Sequence, residues 1–138
     1  METTRLAEEQ ANDPQQRNRL WWDRMPMTYF DWSAADRLPK TADDFAEIRE
    51  CLFGNSPFLR EQFDFSWIDG LDTLDLGCGS GVLSYALAKA GGRVTALDLS
   101  ESAVRIAKGM AAEFGLPITV MRGDAERLPF AGESFDYV

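Results

Sequence analysis

Apolar and polar positions alternate in two rhythms over the second half of this chain. Leu71–Leu76 is a short apolar run and predicts a buried strand. Val82, Leu83, Ala86, Leu87 and Ala90 then fall at helical spacing, and Gly91-Gly92 stops that helix. Arg93–Leu97 reads as a second strand. Ser100 is placed to cap a second helix, with Ala103, Val104, Ala107, Ala111 and Phe114 inward and Gly115 and Pro117 closing it. Ile118–Met121 predicts a third strand, "GDAERLPFAGE" a loop, and "SFDYV" the start of a fourth strand. Strands alternating with helices imply crossover units, hence an α/β fold with a parallel sheet.

The first half reads differently. Residues 1–15 are polar without periodicity, which predicts a disordered tail. "LWWDRMPMTYFDW" (Leu20–Trp32) holds three of the four tryptophans, rings that must pack against something. "SAADRLPK" reads as a loop. Thr41 then caps a helix with Asp43 and Asp44 in its first turn, and Phe45, Ile48 and Leu52 form its apolar face. Gly54-Asn55 ends it, and Ser56-Pro57 opens a short helix through Phe58, Leu59 and Phe63. Asp43, Asp44, Glu47 and Glu50 are expected on a solvated face. The expected division is a tail (1–15), a helical aromatic-rich cap (16–68) and an α/β domain (69–138).

Charge and composition narrow the function. A net charge of −9 over 138 residues argues against nonspecific attraction to nucleic acid or an anionic membrane. No apolar run approaches the roughly 18 residues of a membrane span, and the polar N-terminus is not a secretory signal. Cys51 and Cys78 make neither a disulfide framework nor a metal cluster, and a chain without histidine builds no His triad and no His-ligated metal site. The expected compartment is the reducing cytoplasm, and no metal site is expected.

The loop after the first predicted strand carries the chemistry. Gly77, Gly79 and Gly81 form G-x-G-x-G; a dinucleotide fingerprint needs glycine at position 82, which is Val82, and no lysine follows as a phosphate-binding loop requires. Asp75 offers negative charge to an ammonium, while the N-terminus of the next helix favours a carboxylate. Asp98 ends the second strand 17 residues beyond Gly81, where a carboxylate accepts from ribose hydroxyls. Asp124 follows the third strand, placed to accept from an exocyclic amine. Three acids at the ends of three successive strands suit an ammonium, a ribose and an adenine amine, and none suits a phosphate. That set describes S-adenosylmethionine better than NAD.

In this order and spacing, "LDLGCGSG" (74–81), "ALDLS" (96–100), "GDAERLPF" (123–130) and "FDYV" (135–138) resemble the class I S-adenosylmethionine-dependent methyltransferases, in the broad type 11 group that includes ubiquinone and menaquinone C-methyltransferases. The resemblance covers residues 70–138; "RLWWDRMPMTYFDW" resembles the N-terminal cap of some members less specifically. It implies a Rossmann-like, doubly wound parallel sheet, incomplete here, with strands 1–3 and the start of strand 4 behind a helical N-terminal extension. It also implies that Asp75, Gly77, Gly79 and Gly81 surround the methionine portion with Cys78 lending backbone. Asp98 would hold the ribose, Leu99 flank the adenine, and Asp124 and Ala125 meet the adenine edge. The acceptor is expected to be a small molecule: a quinone precursor, another metabolite or a lipid.

Cys78 is expected to pack rather than react, having no histidine to pair with. Trp21, Trp22, Tyr29, Phe30 and Trp32 are expected to pack as core or cap, with Tyr29 or Trp32 the candidates for a lid contact to a sulfonium. The apolar ending at Phe135–Val138 leads us to expect the N-terminal part of a longer reading frame. Three alternatives stay open on this scaffold: an NAD(P)-dependent oxidoreductase, which Val82 disfavours, a polyamine-forming transferase, and a non-catalytic adenosyl-binding module.

Overall fold

The computed structural model describes residues 13–25, 28, 38–62 and 64–138. Tyr29, Phe30, Trp32 and Phe63, residues 1–12 of the expected tail and residues 33–37 of the expected loop lie outside the described residues.

Helix α1 spans Pro14–Arg24 and begins inside the stretch expected to be a tail. The cause is local: the Asp13 carboxylate accepts from the Gln15 amide, and Pro14 fits the first helical turn, where a missing N–H costs nothing. Helix α2 spans Ala42–Asn55. Thr41 caps it, and Asp44 reaches back to the Thr41 amide at 3.0 Å, closing a capping box. Asp43, Glu47 and Glu50 are exposed as expected, whereas Asp44 is half-buried and committed to the cap. Helix α3 is the five-residue Phe58–Gln62, and a 3-10 turn follows at Ser66–Ile68.

The α/β part runs β1 (Asp72–Leu76), α4 (Val82–Lys89), β2 (Arg93–Asp98), α5 (Glu101–Glu113) and β3 (Thr119–Arg122). The three strands form one parallel sheet in the order β1-β2-β3, with Asp75 beside Ala96 and Asp98 beside Arg122. At the expected start of a fourth strand there is a single bridge: Tyr137 pairs with Thr73 in parallel on the free side of β1, its carbonyl accepting from the Leu74 amide at 2.9 Å. Buried Thr73, Leu74 and Asp75 in succession are what a parallel strand covered on both faces requires.

Packing on β2 fixes the helices. Leu87 of α4 clusters with Val94, and Val104 and Ala107 of α5 cluster with Ala96. Val94 and Ala96 share a strand face, so both crossover helices lie on one side of the sheet. Phe45 and Ile48 of α2 pack against Ile106 and Met110 of α5, docking the helical extension onto the α/β part. Each fully buried aliphatic such as Ile48, Ile68 or Leu87 contributes roughly 1.5–3 kcal/mol relative to exposure. The β1, β2 and β3 carboxyl ends thereby open at the same edge, beside α1.

Candidate functional site

The chain leaves β1 at Leu76 and turns at once. Gly77 takes φ +77°, Gly79 +53° and Gly81 +84°, a region costing other residues about 1–2 kcal/mol. The turn is fastened to the end of the neighbouring strand, because the Gly77 and Cys78 amides both donate to the Leu97 carbonyl, at 2.8 and 3.1 Å. The glycines are not equivalent. A methyl group at Gly77 or Gly79 would meet no atom within 4 Å, whereas one at Gly81 would lie 2.7 Å from Met110 Cε and 3.1 Å from Ala107 Cβ. Gly81 is therefore required by the close approach of α4 to α5.

Each of the three acids has a different setting. Asp75 is 6% exposed and accepts from Ser84 Oγ at 2.5 Å. Burial raises its carboxyl above the ordinary range, the Ser84 hydrogen bonds oppose that, and the nearby Asp98 charge adds to the rise. Asp98 accepts from the Gly79 amide through one oxygen and from the Ser100 amide through the other, both at 2.9 Å. Asp124 is half-buried and accepts from the Glu126 amide at 2.9 Å, so its own loop orients it. Arg122 Nε donates to the Leu99 carbonyl at 3.2 Å, holding the chain just past β2.

The three acids line one cavity of about 650 Å³. Asp75, Gly77, Cys78, Gly79, Asp98, Leu99, Asp124 and Ala125 border it; Gly81 does not, since its free face is spent on α5. The cavity walls among the described residues carry four carboxylates, those of Asp75, Asp98, Asp124 and Glu126, and no lysine or arginine. Cys78 is buried, and burial first, then the Asp75 and Asp98 charges, raise its thiol far above the ordinary range, so it stays protonated.

Sequence reasoning missed the roof. Gln15, Asn18 and Trp22 of α1 border the cavity, with Leu52 and Leu59 beside them. Trp22 is thus a wall residue, while Trp21, expected to pack, is 45% exposed and meets Trp22 edge-on. It also missed Asp23, whose carboxylate accepts from Ser100 Oγ at 2.9 Å and from the Glu101 amide at 2.6 Å at the start of α5. No local pattern marks Asp23. Ser84 did leave a signal, as a hydroxyl on the otherwise apolar run of α4.

Residues 73–138 match the family model described as a methyltransferase domain. The chain is 36% identical over 122 residues to the ubiquinone biosynthesis O-methyltransferase of Sinorhizobium medicae, covering 86% of this chain and 44% of that protein. It is 46% identical over 69 residues to the protein of the same name from a Methylobacterium species, covering 50% of this chain and 28% of that one. The chain thus spans less than half the length of these curated relatives. The solved structure of the PH0226 protein from Pyrococcus horikoshii superposes with a TM-score of 0.56 at 28% identity, over 78% of this chain and 49% of that one.

Proposed function

We propose, on the premise that residues 73–138 belong to the class I S-adenosylmethionine-dependent methyltransferases, that this cavity binds the methyl donor and serves methyl transfer to a small acceptor. One observation carries the reading: three carboxylates at the ends of three adjacent parallel strands share a cavity whose described walls hold no basic side chain. A pyrophosphate-bearing cofactor would meet repulsion there, while a ligand with an ammonium, a ribose and an adenine amine meets an acceptor for each.

The residues fit the donor's parts in chain order. Asp75 takes the ammonium. The first turn of α4, whose Ser84 amide already donates to Asp75, favours the carboxylate through its positive end, because the Gly77, Cys78 and Gly79 amides are used within the protein. Asp98 keeps lone pairs for the ribose hydroxyls beside its two backbone bonds. Leu99 flanks the adenine, and Asp124 and Ala125 meet its edge. When bound, the donor supplies a methyl group activated by a sulfonium. The chain's own part is to fix the donor's orientation and exclude water for an in-line displacement. A hydroxyl acceptor must also lose its proton to a base. Asp75, Asp98 and Asp124 are committed to the donor, so that base lies elsewhere.

The relatives' name, ubiquinone biosynthesis O-methyltransferase, supports a phenolic quinone precursor as the acceptor and oxygen as the atom methylated. Among the described residues no helix is long and apolar enough to cross a membrane.

Calorimetric titration of the full-length protein with S-adenosylmethionine, S-adenosylhomocysteine and NADH tests the cofactor. Saturable binding of both adenosyl ligands and none of NADH is expected; NADH binding without a response to S-adenosylhomocysteine would overturn the reading. Incubation with S-adenosylmethionine and a prenylated catechol, followed by mass spectrometry, tests the acceptor. A gain of one methyl on oxygen is expected, and an unmethylated catechol alongside another methylated metabolite rejects the quinone assignment.

A further inference from the structure

We propose that Asp23 is a positioning residue that latches α1 over the adenosyl end of the cavity and couples that roof to the ribose-binding carboxylate; the proposal rests on the donor-binding reading above. Asp23 ties the N-terminal helix to the α/β part. Its Oδ1 accepts from Ser100 Oγ at 2.9 Å, from the Glu101 amide at 2.6 Å and from the Ser102 amide at 3.3 Å. Its carbonyl accepts from Ser102 Oγ at 2.8 Å. A carboxylate there meets the positive end of the 13-residue helix α5, so charge and hydrogen bonds act together.

The latch does not end at Ser100. The Ser100 hydroxyl donates to Asp23 and accepts from the Ala103 amide at 3.1 Å, and the Ser100 amide donates to Asp98 Oδ1. Asp98 Oδ2 in turn holds the Gly79 amide. One hydrogen-bonded chain therefore runs from α1 through the Ser100 turn and the Asp98 carboxylate to the glycine loop. Trp22, next to Asp23 in sequence, and Asn18, one helical turn earlier, border the cavity. A ligand that engages Asp98 steadies the turn that Asp23 grips. By linkage, a seated α1 raises ligand affinity, and bound ligand seats α1.

The test uses the full-length protein as wild type, Asp23→Ala and Asp23→Asn. Each is titrated with S-adenosylhomocysteine, and amide hydrogen exchange is followed in residues 14–24 and 100–103 with and without it. Wild type is expected to gain protection in 14–24 on binding. Asp23→Ala is expected to bind about ten- to hundredfold more weakly and to lose that gain. Asp23→Asn keeps an oxygen acceptor without the charge, and is expected to fall between the two. If Asp23→Ala binds as wild type does, or if its 14–24 segment gains the same protection, the latch is overturned. Should Asp23→Ala fail to fold, parity of Asp23→Asn with wild type in both readouts overturns it equally. A wild type that ignores S-adenosylhomocysteine sinks the donor reading and the latch with it; a wild type that binds beside an unaffected Asp23→Ala sinks the latch alone.

Discussion

The Asp98 carboxylate holds the Gly79 amide at 2.9 Å, so the end of β2 grips the loop that leaves β1. One side chain thus shapes the cavity before any ligand reaches it. Replacing Asp98 with Ala removes this bond and the one to Ser100. Each hydrogen bond to a charged group contributes roughly 1.5–3 kcal/mol. We expect Asp98→Ala to lower the melting temperature of the ligand-free protein and to weaken S-adenosylhomocysteine binding at least about a hundredfold. Thermal unfolding and calorimetry on one preparation check both. An unchanged melting temperature would count against the grip on the loop.

Asp75 predicts a stability that depends on pH. Its carboxyl is raised, burial being the main cause, so ionising it opposes folding. The stability it allows is full at pH below the ordinary carboxylate range and is lost as pH rises through the raised value. Asp75→Asn stays neutral throughout, and its amide oxygen still accepts from Ser84. We expect this variant to unfold at a higher temperature than wild type near neutral pH, with the difference vanishing in acid. We expect it to bind S-adenosylmethionine about ten- to hundredfold more weakly, because the ammonium loses its counter-charge. A variant less stable than wild type at neutral pH would contradict the first expectation.

Ser84 is 0% exposed and is the hydroxyl partner of Asp75. Ser84→Ala leaves a buried carboxylate short of a donor, at a cost of about 1–3 kcal/mol near neutral pH. The Ser84 hydroxyl bond acts to lower the Asp75 carboxyl, so its loss raises it further, while the Ser84 amide bond remains. The penalty is expected to shrink as falling pH protonates Asp75. Chemical denaturation at neutral and acidic pH distinguishes this from a simple packing defect, whose cost would not change with pH.

Gly77 and Gly81 look alike in sequence and are predicted to fail differently. Gly77→Ala meets only the left-handed backbone, a cost of about 1–2 kcal/mol, in a loop that borders the cavity. Gly81→Ala adds a clash with Ala107 and Met110 to the same backbone cost, for a total of about 2–4 kcal/mol. The stability loss should therefore be larger at Gly81, and the affinity loss, corrected for folding, larger at Gly77. Equal effects in both measurements would contradict the division of labour between these glycines.

Cys78 is expected to be inert. Its thiol is buried and held protonated, so iodoacetamide at neutral pH should label the half-buried Cys51 first. Peptide mapping after timed alkylation reads the order. Labelling of Cys78 ahead of Cys51 would require a thiolate that the site does not sustain.

Much of this architecture is written in short-range order. The period of apolar residues marks β1 through β3 and the helices between them, because burying one stripe or one strand demands that spacing. Thr41, Ser100 and Gly91 mark helix ends, because caps satisfy backbone groups only a few residues away. The spacing of Gly77, Asp98 and Asp124 already pointed to three strand ends, since crossover topology brings successive strands to a common edge. The reach of the first helix to Pro14 was also encoded locally, in Asp13-Pro14, beneath a composition that read as a tail.

The rest was decided by approach in space. Gly81 carries the same motif signature as Gly77 and Gly79, yet Met110 and Ala107, far along the chain, make it a packing residue. Trp21 and Trp22 are identical neighbours; the seating of α1 sends one to solvent and the other to the cavity wall. Asp23 meets Ser100 across 77 positions of sequence, a pairing with no period or spacing to announce it. Periodicity reports which face of an element is buried. Which surfaces then close on each other depends on how whole helices pack, and that settled the roof of this cavity.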